Sequence, residues 1–138
     1  AKTQFVPGVW YMLSVVNDGR MLTLYVNGEK DNSRTVSADE YSFSYYTIGM
    51  TESSYQSKQL FHGWLGGVRI WNRALSQREI RNNLCGIEPD ALGLEACYPM
   101  NEGEGKIFRD ISPHQRHLVY EQEDLIIDWT NTGNKCIE

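Results

Sequence analysis

Hydrophobic positions in the first part of the chain recur at the spacing of β-strands. The run VWYMLSVV, residues 9–16, is dense in aromatic and β-branched side chains. In MLTLYVNGE, residues 21–29, Leu22, Leu24 and Val26 alternate with Met, Thr and Tyr. The intervening NDGR carries the Asn, Asp and Gly residues typical of a tight turn. The pattern predicts an antiparallel hairpin.

Two more strands and a polar loop are predicted after this hairpin: strands at 42–50 and 61–70, and a loop at 51–59. In the last of these strands the apolar positions change parity between Leu65 and Val68. Gly66 and Gly67 lie between them, which is where a β-bulge would return the apolar side chains to one face. We therefore expect a bulged strand here.

The end of this strand runs into a pattern typical of a short capped helix. Ser76 and Glu79 have the S-x-x-E spacing of a capping box, in which each side chain bonds the backbone N–H of the other residue. Leu75 and Ile80 occupy the two positions of a hydrophobic staple, and Ile80 forms one apolar stripe with Leu84. A short amphipathic helix is predicted.

Composition is that of a folded segment of one domain. The sequence has 138 residues, of which 41% are hydrophobic and 12% aromatic. No apolar run approaches the roughly 20 residues of a membrane span. The net charge is −5, and the sequence holds no cluster of Lys and Arg that could bind phosphates. We therefore expect no nucleic-acid partner and no membrane span.

Three cysteines, Cys85, Cys97 and Cys136, leave the redox state open. They form no C-x-x-C pair and have no histidine at ligand spacing, so a zinc site is not expected. The odd number is compatible with one disulfide and a free thiol, or with three reduced thiols. Both alternatives stand at this point.

Two motifs resemble a known family: WYMLSVVNDGRMLTLYVNG at 10–28 and LFHGWLGGVRIWNRALSQREI at 60–80. The resemblance covers residues 5–84 and is to the laminin-G/pentraxin-like branch of the concanavalin A-like lectin/glucanase superfamily. It implies an all-β fold, a jelly-roll β-sandwich of two curved antiparallel sheets. The short capped helix would lie on this sandwich.

A second segment resembles the same family but lies at an unusual position in the chain. LEACYPMNEGEGKIFRDISPHQRHLVY, residues 94–120, is similar to the stretch that usually opens such a domain, yet here it follows the closing helix. We therefore assign 1–86 to the C-terminal half of the sandwich. Residues 87–138 are assigned to opening strands and a C-terminal tail, with a last strand around Ile126, Ile127 and Trp129, packed on the same sandwich.

The unusual order means that the sandwich is incomplete or permuted. The missing strands lie upstream in a longer protein, or the domain is circularly permuted, or a second, truncated repeat begins at the opener. We favour the first explanation. Strands from another chain or from the rest of the parent protein would then complete the sheet, because the apolar run at 9–16 would otherwise be an exposed edge.

A catalytic role is not expected from the acidic residues. Glucanases of this superfamily carry an E-x-D-x-x-E strand, and retaining hydrolysis needs two carboxylates about 5 Å apart. The sequence has no such strand, and the glycines around Glu102 and Glu104 indicate a turn. His62, His114 and His117 lie in no nucleophile motif. Part of a glycoside hydrolase with catalytic strands elsewhere, and a structural spacer, remain alternatives to a binding module.

Carbohydrate or protein binding is the preferred function, by a module that is extracellular, periplasmic or on the cell surface. Sugars are held by aromatic faces and by polar groups that bond their hydroxyls. Tyr46, Tyr55 and Trp64 are the predicted ligand-binding residues. The alternatives are that Trp64 fills the core and that Tyr55 is an ordinary loop residue.

Calcium is the cofactor that the resemblance implies, held by oxygen ligands on rim loops. Asp110 and Asn101 are the candidate ligands, with Asp18 as a further rim oxygen. Two observations count against this site. Gly66 and Gly67 stand where many calcium-binding relatives carry an acidic residue, and Asp110 could instead cap the turn that follows it.

Overall fold

The computed structural model describes residues 1–37, 47–52, 58–86, 88–120 and 127–129. Within these ranges the chain forms nine strands and one short helix: β1 Leu13–Asn17, β2 Met21–Val26, β3 Glu29–Thr35, β4 Met50–Glu52, β5 Lys58–Leu60, β6 Val68–Trp71, α1 Gln77–Asn82, β7 Leu94–Tyr98, β8 Ile107–Phe108 and β9 Leu118–Val119. Every strand pair is antiparallel. The predicted all-β fold is confirmed.

The predicted hairpin forms between β1 and β2. Its register places Leu13 opposite Val26, and the carboxylate of Asp18 accepts hydrogen bonds from the N–H groups of Arg20 and Met21 in the turn. These bonds favour the charged carboxylate and lower the pKa of Asp18. The first strand is shorter than predicted: it begins at Leu13, and residues 9–12 are not part of it.

The strand β3 was not predicted, since its sequence EKDNSRT has no hydrophobic alternation. It forms because β2 offers a second edge and a tight turn returns the chain to it. Asn27 has φ +50 and Gly28 has φ +78, as a two-residue hairpin turn requires. The Asn27 side chain also accepts a hydrogen bond of 2.8 Å from the N–H of Met12, which ties this turn to the residue before β1.

The predictions for residues 42–70 need correction. Residues 42–46 lie outside the described residues. The prediction of a polar loop at 51–59 is wrong at both ends, because residues 51–52 belong to β4 and residues 58–59 to β5, and these strands pair with each other. The long strand at 61–70 is also wrong, since only Val68–Trp71 is extended against a partner. A register shift occurs between Ile70 and Trp71 instead of a bulge at the glycines, because 61–67 has no neighbouring strand among the described residues.

The pairing of β6 with β7 joins the first and second parts of the sequence. Val68 lies opposite Tyr98, and Arg69 lies opposite Cys97. Strand β7 supplies four of the six buried hydrophobic residues in the described part of the chain, Leu94, Ala96, Cys97 and Tyr98. The other two are Val26 in β2 and Ile80 in α1. Of the predicted last strand, Ile126 lies outside the described residues, and 127–129 are not in a strand.

The capped helix is confirmed in detail. The hydroxyl of Ser76 accepts from the N–H of Glu79 at 3.3 Å, and the Glu79 carboxylate accepts from the N–H of Ser76 at 2.8 Å. Ile80 is buried. The helix packs on the turn between β2 and β3, where a Cβ on Gly28 would come within 2.7 Å of the Cγ of Arg81. This close approach requires glycine.

The cysteines are not all reduced. Cys85 is disulfide-bonded, Cys97 is a free and buried thiol, and Cys136 lies outside the described residues. Desolvation raises the pKa of Cys97, so the thiol stays neutral and unreactive at neutral pH. Of the two alternatives, one disulfide with a free thiol is the one that agrees with the structure.

Replacing Ser76 by alanine is expected to lower the free energy of unfolding by about 1 kcal/mol, because a capping hydrogen bond is lost. Urea unfolding followed by tryptophan fluorescence measures this change. Arg78→Ala, at an exposed position of the same helix, is the matched control and should leave the midpoint nearly unchanged. Equal effects of the two substitutions would contradict the capping role.

The capping box should also depend on pH. The backbone N–H and the hydroxyl of Ser76, and then the guanidinium of Arg73, lower the pKa of Glu79 from an ordinary 4.5 to about 2. A depressed carboxyl pKa stabilises the folded state above the unfolded value. We therefore expect the stabilisation to be complete above pH 4.5 and to be lost as the pH falls towards 2. The chemical shift of the Ser76 amide, titrated by NMR, reports this, and Glu79→Gln should abolish the titration.

Candidate functional site

An exposed aromatic segment lies between β5 and β6. The side chains of Phe61, Trp64 and Leu65 are 54%, 55% and 43% exposed. The core-filling alternative for Trp64 therefore does not describe this structure. The other two candidate residues, Tyr46 and Tyr55, lie outside the described residues, so their part in a site stays a prediction.

Glycines let aromatic rings lie directly on the backbone of this segment. A Cβ on Gly63 would come within 2.8 Å of the Phe61 ring, and one on Gly66 within 3.1 Å of the Trp10 ring. The N–H of Phe61 donates to the carbonyl of Gly49 at 2.8 Å, which fixes where the segment begins. The segment is thus held at its start and against Trp10, and the Trp64 side chain between these points is exposed.

Trp10 brings a second apolar segment to the same place. Phe5 and Tyr11 form an edge-to-face pair with ring centroids 5.0 Å apart, and Val6 and Val9 are exposed between them. We call these exposed residues on both sides of the contact between Trp10 and Gly66 the Trp64 surface: Phe5, Val6, Val9, Phe61, Trp64 and Leu65. This exposed apolar surface is the candidate interaction site.

The backbone of the same segment is available for bonding. In the part of the chain that the structure describes, the N–H and C=O groups of 62–67 make no hydrogen bond within the protein. Residues 62–67 are also exposed. Backbone donors and acceptors therefore lie beside the exposed rings, as a ligand with many hydroxyl groups requires.

The carboxylate of Asp110, the candidate calcium ligand, is hydrogen-bonded to groups of the protein itself. Its residue is 2% exposed, and one carboxylate oxygen accepts from the N–H groups of Cys97 and Ser112, both at 2.9 Å. The other accepts from the Ser112 hydroxyl and from the N–H of Arg116, also at 2.9 Å. Burial raises the pKa of Asp110, but these hydrogen bonds outweigh it and the pKa is lowered. The turn-capping alternative thus describes Asp110.

The structure does not bring the candidate metal ligands together. Asn101 is exposed, and Asp18 is engaged in its own turn. Among the described residues, no three His, Cys, Asp or Glu side chains are grouped as a metal site would need. Calcium binding stays a prediction for this chain.

A polar cluster around Glu95 was missed in the sequence. Asn72 donates to one carboxylate oxygen at 2.7 Å, and the guanidinium of Arg116 donates to the other at 2.9 Å. The Nε2 atom of His114 lies 3.9 Å from the same oxygen as Arg116. Arg116 first, and then Asn72, lower the pKa of Glu95. No local pattern could reveal the cluster, because its members come from segments that only β6 and β7 bring together.

Comparison with known protein families agrees with the all-β fold. A laminin-G family model, described as the concanavalin A-like lectin/glucanases superfamily, matches residues 1–81, which is more than half of the chain. The resemblance drawn from the two motifs is confirmed. No curated protein matches the sequence significantly. No helix in the described ranges has the length and apolarity needed to cross a membrane.

Two solved structures are similar to this chain. An S-layer domain-containing protein from Clostridium thermocellum shares 29% identity with a TM-score of 0.52, over 58% of this chain and 41% of that one. A proposed carbohydrate-binding protein from Bacteroides ovatus shares 23% identity with a TM-score of 0.67, over 78% of this chain and 33% of that one. The second likeness shows the fold alone. This chain spans less than half the length of either structure.

Asp110→Ala should lower the free energy of unfolding by roughly 3 kcal/mol, because buried N–H groups of Cys97 and Ser112 lose their acceptor. Chemical denaturation measures the change, and Asp90→Ala, at an exposed position, is the matched control. If Asp110 served only as a metal ligand, adding EDTA to the wild type would destabilise it as much as the substitution does. We expect EDTA to destabilise the wild type much less than this substitution does, because the partners of Asp110 are N–H groups of the protein itself.

Proposed function

Because the chain belongs to the concanavalin A-like lectin/glucanase superfamily, we propose that it is a carbohydrate-binding module of a cell-surface or extracellular protein. The exposure of Trp64 on an apolar, glycine-rich segment is the observation that carries this proposal. The carbohydrate-binding description of the Bacteroides ovatus structure supports it at the level of a shared fold.

The proposal follows from what sugars require. A pyranose ring presents C–H groups on its faces and hydroxyl groups at its rim, so it binds aromatic faces beside donors and acceptors. Trp64 offers the largest exposed aromatic face among the described residues. The unbonded backbone of 62–67 offers the donors and acceptors. Both elements come from one short segment, so they are close together in sequence.

An oxidising compartment is supported by the disulfide of Cys85. Disulfides persist in extracellular and periplasmic proteins and are rare in the cytosol of mesophiles. The similarity to an S-layer domain-containing protein agrees with a location at the cell surface. We therefore place the module outside the cytoplasm.

The proposed module acts by binding and does not catalyse hydrolysis. Glu102 accepts a hydrogen bond from the N–H of Arg109 at 2.6 Å, which holds this carboxylate in the turn before β8. Glu104 is exposed between glycines that have positive φ, Gly103 and Gly105. Neither residue resembles one of a facing pair of carboxylates across a cleft.

A second interaction, with a partner strand, is supported by β1. In the described ranges β1 is an edge strand of its three-stranded sheet, and Leu13 and Val15 are 56% and 64% exposed. An apolar edge without charge invites pairing. We propose that a strand from the rest of the parent protein, or from another copy of the chain, covers this edge.

Trp64→Ala should weaken glycan binding by at least about tenfold, or about 1.4 kcal/mol, because the stacking face is removed. A glycan array identifies the ligand, and isothermal titration calorimetry measures the affinity. The control is Leu92→Ala, which removes an apolar side chain that is even more exposed and lies far along the sequence. An unchanged affinity of the Trp64 variant would contradict the assignment of this site.

The isolated 138-residue chain should self-associate because its β1 edge is uncovered. Val15→Lys should reduce this association by placing a charge on the edge, as natural edge strands do. Light scattering over a range of concentrations measures it, with Arg34→Lys on the opposite edge strand as a charge-neutral control. A wild-type monomer that persists at high concentration would mean that the domain closes on itself.

A further inference from the structure

The Trp64 surface is uncharged over a long stretch on both sides of the contact between Trp10 and Gly66. Residues 4–17 and 59–68 contain no Asp, Glu, Lys or Arg. These two runs nevertheless hold eight of the twelve exposed large hydrophobic residues of the described chain. The surface therefore combines strong apolar exposure with the absence of Asp, Glu, Lys and Arg from its own sequence, and the exposed His62 is the one side chain of the two runs that can become cationic.

From this combination we infer that the site takes an uncharged saccharide, and that it rejects uronic-acid-containing and sulfated glycans. The inference rests on the proposed function and specifies its ligand class. The first argument is electrostatic. An anionic group brought against this surface would lose water without gaining a cation, and such desolvation is costly.

The Arg residues that follow the second run in sequence already have partners within the protein. Arg69, which follows the uncharged run, donates to the carbonyl of Asn83 at 2.6 Å. Arg73 forms an ion pair with Glu79 at 2.7 Å and donates to the carbonyl of Leu92. The net charge of −5 also repels anionic chains at long range.

The hydrogen-bonding groups point to the same ligand class. The unbonded backbone of 62–67 supplies N–H donors and C=O acceptors in equal number. A sugar hydroxyl both donates and accepts, so it can use both kinds of group, whereas a carboxylate or sulfate group only accepts and cannot bond to the carbonyls. Neutral pyranoses with equatorial hydroxyls additionally offer Trp64 a continuous face of C–H groups.

The test is a titration of the 138-residue chain with three hexasaccharides: cellohexaose, hexagalacturonate and a heparin-derived hexasaccharide. We expect cellohexaose to bind at least about tenfold more tightly than either acidic probe. Its Kd should change less than about twofold between 50 and 500 mM NaCl, because no ion pair forms. Tighter binding of an acidic probe, weakened by salt and by Trp64→Ala, would overturn the inference while leaving carbohydrate binding intact.

A charge-insertion variant sharpens the result. Leu65→Lys should tighten hexagalacturonate binding about fivefold or more, since it supplies the missing cation. Leu92→Lys adds the same charge outside the two uncharged runs and should not. Equal responses of the two variants would also overturn the inference. If the wild type binds none of the three probes and no glycan of the array, the proposed function itself fails, and the inference falls with it.

Discussion

The antiparallel pairing of β6 with β7 is the constraint on which the rest of the described structure depends. It brings residues from the helix-bearing first part of the chain against LEACY and places Ala96, Cys97 and Tyr98 in the core. Asp110 secures this arrangement, because its carboxylate receives the N–H of Cys97 on one side and the following turn on the other. Loss of this pairing would separate the core from the turn that carries Asp110.

The small core explains why the surface is so apolar. Six hydrophobic residues are buried in the described chain, whereas twelve large hydrophobic residues are exposed. Ordinary monomers do not leave extended apolar patches in water, so these side chains are available for ligands or partners. Two different uses fit different parts. The flat edge of β1 suits a strand, whereas the rings and unbonded backbone at 61–67 suit a saccharide.

Glycines decide how the candidate site is built. Gly63 and Gly66 allow the Phe61 and Trp10 rings to lie on the main chain, at distances that a side chain would not permit. Gly66, together with Gly67, predicted a bulged strand when only the spacing of the apolar positions was considered. The use of Gly63 and Gly66 in the structure is to let two uncharged segments meet, and this meeting leaves Trp64 exposed beside free backbone groups.

The sequence by itself determined the features whose signals are local: the Asn-Asp-Gly hairpin, the capping box at Ser76 and Glu79, and membership of the family. The hairpin and the capping box depend on atoms within a few residues of one another, and the family was identified from two motifs read directly from the sequence. Only the tertiary structure decided that polar segments form β3, β4 and β5 and that 61–67 is not a strand. It also decided that the carboxylate of Asp110 accepts hydrogen bonds from four donors of the protein. A strand needs a partner edge and a buried carboxylate needs donors, and both come from residues far away in sequence.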